Sequence, residues 1–181
     1  MAWISGNRYL SISEMQNNAD LIHYYFSAQG WTNNAIAGML GNMQTESTIN
    51  PGIWYNLDAI SKVSYGLVQW DPYTNYSDWA GEGWEDNGPK EMERIIYELD
   101  NGLQWISTAA YRMSFKEFSV SELSPAYLAQ AWLYNYERPG SLDQPQRSTQ
   151  ATYWYEYITG HSPVPSEIPI WLLFKIARRG K

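Results

Sequence analysis

A chain of 181 residues is long enough to bury a core without covalent staples, and it contains no cysteine. A disulfide framework, a thiolate metal site and a cysteine nucleophile are excluded. The formal charge of −7 argues against a nucleic-acid partner, and the two histidines, His23 and His161, lack the spacing of a zinc hydrolase. No metal or cofactor is expected. The 10 Trp and 15 Tyr are more than a core of this size demands, so several are expected to line a cleft. The N-terminus lacks the basic and apolar regions of a signal peptide. The longest apolar run, 168–176, is interrupted by Pro169 and Lys175 and is too short to span a bilayer. The sequence reads as a soluble protein made in the cytosol.

In chain order, Ser13 and Gln16 form a capping-box pattern for a first helix that Gly30 stops, with Met15, Ala19, Ile22 and Phe26 at helical spacing. Thr32 caps a second helix over about 33–47, whose Ile36, Met39, Leu40 and Met43 share a face. Its Gly38 and Gly41 lower helix propensity but let another backbone come close. Two β-prone stretches, 63–65 and 67–70, flank Gly66 and predict a small irregular sheet or hairpin. The Gly-rich, acidic stretch 80–89 reads as a loop, after which Pro89 opens a third helix. Ser124-Pro125 opens a fourth, ended by Arg138-Pro139-Gly140, and a fifth runs over about 145–158. The fold class is mainly α with one small β element, α+β.

Residues 1–160 are expected to form one domain, and 161–181 a proline-rich linker with an apolar and basic tail. That tail has two readings: a disordered or docking segment, or an amphipathic anchor for a partner protein or, less favoured, a membrane surface.

Glu46 is the most informative side chain. On a helical wheel it lies about 80° from Ile36, at the border of the buried stripe and in the last turn. Partial burial at the negative end of a helix dipole favours the protonated form of a carboxyl, which suits a general acid. Taken alone, the same position also suits a salt bridge at a helix end.

The neighbouring text favours the acid. Glu46-Ser47, followed by Tyr65-Gly66-Leu67-Val68-Gln69-Trp70-Asp71, resembles the lysozyme superfamily, in which goose-type lysozymes and soluble lytic transglycosylases carry Glu-Ser and then Gly-Leu-Met-Gln. Val68 stands where those enzymes have Met. The wider stretch 37–51, with Tyr136-Glu137-Arg138-Pro139 and Tyr153-Trp154-Tyr155, looks like the tail-tip lysozyme domain of short-tailed phages of Gram-positive bacteria. The resemblance covers roughly 8–160.

It implies a lysozyme-like fold and a muramidase acting on peptidoglycan glycan strands, with Glu46 as the acid. Asp71 would position the attacking water, and Asp58 would approach the cleft from its loop. Tyr65 and Gln69 would line the sugar groove and Tyr136 would face the acid, while Trp54 and Trp70, as aromatic residues near the motif, can offer flat apolar faces to sugar rings. It further implies a virion protein at the tail tip that degrades the wall during genome delivery. The apolar and basic residues of the C-terminal tail, beyond the resemblance, are the expected contact with other tail proteins. The net negative charge suits an enzyme carried to the wall by a particle rather than steered there by charge. Two alternatives share these motifs: a lytic transglycosylase, which uses one glutamate and releases 1,6-anhydro products, and a wall-binding tail protein without activity.

Overall fold

The structure is a computed structural model that describes residues 1–160. The tail and its anchor reading lie outside the described residues. Helix α1 (Ile12–Ala28) is capped by Ser11, whose amide and hydroxyl both donate to Glu14 Oε2. The capping box is therefore Ser11–Glu14 rather than Ser13–Gln16. Glu14 brings the anionic charge that the helix N-terminus favours and also pairs with Arg8, whereas the Gln16 amide reaches away to Tyr153 Oη.

Helix α2 (Asn33–Ser47) begins where predicted, with Thr32 Oγ1 accepting from the Ala35 amide. Residues 35–43 are buried without interruption, so α2 is wrapped on all sides rather than lying on a surface. The two glycines make this possible. A Cβ on Gly38 would sit 2.9 Å from Leu128 Cβ, and one on Gly41 would sit 2.6 Å from the Arg147 carbonyl oxygen. Helices α6 (Pro125–Trp132) and α7 (Gln146–Gly160) thus pack on α2 at backbone distance, one at each glycine.

The expected hairpin is not formed. Among the described residues there are only two isolated antiparallel bridges, Trp54 with Tyr65 and Tyr65 with Trp70. Gly66 (φ +82°) and Gln69 (φ +49°) adopt left-handed conformations that reverse the chain between Tyr65 and Trp70. The Leu67 amide then donates to the Glu91 carboxylate instead of to a strand partner. A buried acid and the reciprocal Tyr65–Trp70 backbone bonds, rather than an extended ladder, hold this turn.

Three short elements escape the sequence patterns: a 3₁₀ turn at Tyr55–Leu57, α3 (Thr74–Ala80) and α5 (Phe115–Ser119). Each is too short for a period to show. Helix α4 (Gly88–Asn101) starts from an Asn87 cap that accepts from the Lys90 amide. Helix α6, capped by Ser124, does not end at Trp132 but continues as a π turn, Leu133–Glu137, closed by left-handed Arg138. Trp132 and Tyr136 stack at 4.2 Å across this junction, and Phe115, Phe118 and Trp105 complete an aromatic cluster beside it.

Candidate active site

Glu46 emerges from the last turn of α2, and its position is fixed from both ends. The next residue, Ser47, donates its hydroxyl to the carbonyls of Met43 and Leu67 and accepts from the Asn50 amide. This buried hydroxyl welds the end of α2 to the Gly66–Gln69 turn, which explains why Glu-Ser and Gly-Leu-x-Gln occur together.

The Glu46 side chain is 20% exposed and pairs with Arg147 Nη2 of α7 at 2.5 Å. Arg147 is itself 3% exposed, and its remaining contacts are specific. Nη1 donates to Asn42 Oδ1, one turn before Glu46, and Nε donates to Gln144 Oε1. Asn42 in turn gives its amide to the carbonyls of Gly38 and Ala129, tying α2 to α6. The planar guanidinium is thus held in a fork, which a lysine could not reproduce. The helix-end salt bridge weighed as an alternative for Glu46 does exist, and it is built into a polar cluster.

A second carboxyl lies within electrostatic reach of this cluster. Glu137, the last residue of the π turn, accepts from Trp132 Nε1 at 2.7 Å. Burial pushes its carboxyl well above the ordinary range, the negative charge of Glu46 adds to that, and Arg147 opposes it. Glu137 entered the sequence reading only within the Tyr136-Glu137-Arg138-Pro139 stretch of the family resemblance, with no role attached. The extra residue of a π turn, which re-aims the side chain that follows it, leaves no periodic signal.

The other predicted residues fall into two groups. Tyr65, Trp70, Trp54 and Tyr136 are all buried and serve as scaffold, with no face open to a ligand. Tyr136 Oη and Trp70 Nε1 both donate to Glu98, which also pairs with Arg94 Nε at 2.8 Å. Trp54 packs edge-on against Tyr65, and the Tyr65 hydroxyl accepts from the Asp86 amide. The Gln69 amide turns back onto the carbonyls of Ile53 and Gly66.

The two aspartates are exposed. Asp58 organises its own loop, accepting from the amides of Ile60 and Ser61 and from Ser61 Oγ, and these bonds hold its carboxyl below the usual range. Asp71 engages Asn75 through its backbone carbonyl. Among the described residues, neither aspartate joins the Glu46 cluster by a hydrogen bond or ion pair.

A helical body with one clamped glutamate at the end of its central helix defines the class. Residues 17–158 match the family described as phage tail lysozyme, and the chain belongs to that family. It is 50% identical over 159 residues to a protein of Bacillus phage B103 named morphogenesis protein 1. That match covers 86% of this chain and 43% of the relative, so the chain spans less than half of the relative's length.

Proposed function

We propose that this chain is a wall-cleaving lysozyme domain of a phage particle, acting as a muramidase on peptidoglycan glycan strands. The observation that carries the reading is the Glu46 cluster: a partly exposed carboxyl at the end of a buried helix, paired with its own buried cation. The family match and the relationship to a phage morphogenesis protein support it. In this mechanism Glu46 protonates the glycosidic oxygen between N-acetylmuramic acid and N-acetylglucosamine. Water takes the anomeric carbon, and a reducing muramic acid end results. Ser47 keeps the acid in register with the Gly66–Gln69 turn, so the lobe bearing Asp71 is fixed relative to the proton donor. Asp71, exposed at the end of that turn, is the residue assigned to orient the water. Other virion proteins are the expected assembly partners, and the segment from 161 onward is their expected contact.

The test is release of soluble muropeptides from purified Gram-positive walls by the full chain. Release with new reducing ends supports hydrolysis, and release with 1,6-anhydro ends assigns the chain to the transglycosylases. A folded protein that binds walls and releases nothing overturns the enzymatic reading.

A further inference from the structure

Glu91 is a buried acid to which the mechanism above gives no part. It stands in the first turn of α4, and its side chain is fully enclosed. Oε2 accepts from the Leu67 amide at 2.7 Å, and Oε1 has no hydrogen-bond partner among the described residues. Gly66 is shaped to this carboxyl. A Cβ there would sit 2.7 Å from both of its oxygens, so the turn closes directly over the acid.

Leu67 is held at both of its backbone polar groups. Its amide goes to Glu91, and its carbonyl accepts from Ser47 Oγ at 2.9 Å. Ser47 Oγ also donates to the Met43 carbonyl and accepts from the Asn50 amide, and Ser47 follows Glu46 in the chain. Two hydrogen bonds, with one residue between them, therefore join Glu91 to the residue beside the proton donor. The rest of the turn is bonded mostly within itself. Tyr65 and Trp70 exchange backbone bonds, and the Gln69 amide returns to the carbonyls of Ile53 and Gly66. Glu98, further along α4, reaches the turn through the Trp70 indole. Glu91 is the grip of α4 on the backbone of the turn.

We propose that Glu91 is a positioning residue for the hydrolysis: through Leu67 and Ser47 it sets where the Glu46 carboxyl stands relative to the turn that ends at Asp71. This rests on the reading of Glu46 as the proton donor. Glu91 touches neither the sugar nor the reacting atoms. Burial raises its carboxyl well above the ordinary range, so it fills its place as a neutral acid and puts no uncompensated charge beneath the site. What the place requires is an acceptor of this shape, not a charge.

The experiment compares the full chain with Glu91→Met, which fills the space but cannot accept from Leu67, and with Glu91→Gln, which can. In wall hydrolysis at mildly acidic pH, Glu91→Met should lower kcat roughly ten- to a hundredfold with KM little changed, since small misplacements of a proton donor act on the chemical step. Glu91→Gln should restore kcat to within a few-fold of the wild type. An unchanged kcat in folded Glu91→Met, or an equal loss in both variants, overturns the proposal. Amide ¹H–¹⁵N spectra of Glu91→Gln read the connection without activity and without the Met variant. The resonances of Leu67, Asn50 and Glu46 are expected to move together, and a change confined to Leu67 refutes the connection. A wild-type chain that cleaves no walls removes the reading of Glu46 and the proposal with it, whereas a change confined to Leu67 in a chain that cleaves walls removes the proposal alone.

Discussion

Two pairs of glutamates occupy two regions of the molecule, and their settings differ. Beneath the Tyr65–Trp70 reversal, Glu98 accepts from a guanidinium, an indole and a phenol, and Glu91 accepts the Leu67 amide while its second oxygen has no hydrogen-bond partner among the described residues. Both are almost wholly enclosed and act as struts. At the junction of α2 and α7, Glu46 pairs with Arg147 and remains partly exposed, and at the end of the π turn Glu137 accepts from Trp132 Nε1. The difference teaches where chemistry can occur. A carboxyl sealed from solvent is a structural strut, whereas a carboxyl with one ion-pair partner and access to solvent can exchange a proton.

If this contrast holds, substitutions in the two regions should fail differently. The largest effect is expected for Glu46→Gln, which should lower wall hydrolysis by about 10²–10⁴-fold because the amide cannot give up a proton. Arg147 would keep an amide oxygen as acceptor, so the loss of stability should stay within about 1–3 kcal/mol, read by thermal unfolding. Arg147→Ala should act mainly on the fold. It removes the buried cation paired with Glu46 and deletes the Asn42 and Gln144 contacts, at a cost of about 3 kcal/mol measurable by denaturant titration.

Glu91 offers a pH test of the strut region. Burial raises its carboxyl well above the ordinary value of 4.5 in the folded state. Stability from this group is therefore complete below that value and is lost as pH rises toward the folded-state pKa. Glu91→Gln should remove this component and flatten the stability profile above pH 5, while wall hydrolysis persists at acidic pH. A profile as steep as that of the wild type would show that Glu91 is not its source. The smallest effect is expected for Asp58→Asn, which should loosen the loop carrying Ile60 and lower the rate by no more than a few-fold, less than Asp71→Asn. A larger loss at Asp58 than at Asp71 would reverse their assigned roles.

The helical half of this contrast was legible in the sequence. Thr32 as a cap, the two close-packing glycines and the border position of Glu46 follow from local spacing, which a helix preserves. The partners of Glu46 were not legible, because Arg147 lies 101 residues away and reaches it only through the packing of α7 on α2. The lower region misled the reading for a different reason. Trp54, Tyr65 and Trp70 beside a sugar-enzyme motif suggested open faces, yet aromatic residues are equally good at filling a core, and here all three do so. The β-prone spelling of 63–70 likewise gave no hint that a glutamate from α4 would replace the missing strand.

The central claim is that the Glu46 carboxyl drives hydrolysis of the glycan strand. Its most direct test is digestion of purified walls in ¹⁸O-labelled water, followed by mass spectrometry of the released muropeptides. The account predicts reducing N-acetylmuramic acid ends carrying one ¹⁸O from the wild-type chain and almost none from Glu46→Gln. Unlabelled 1,6-anhydro ends, or equal labelling by the Glu46→Gln chain, would contradict it.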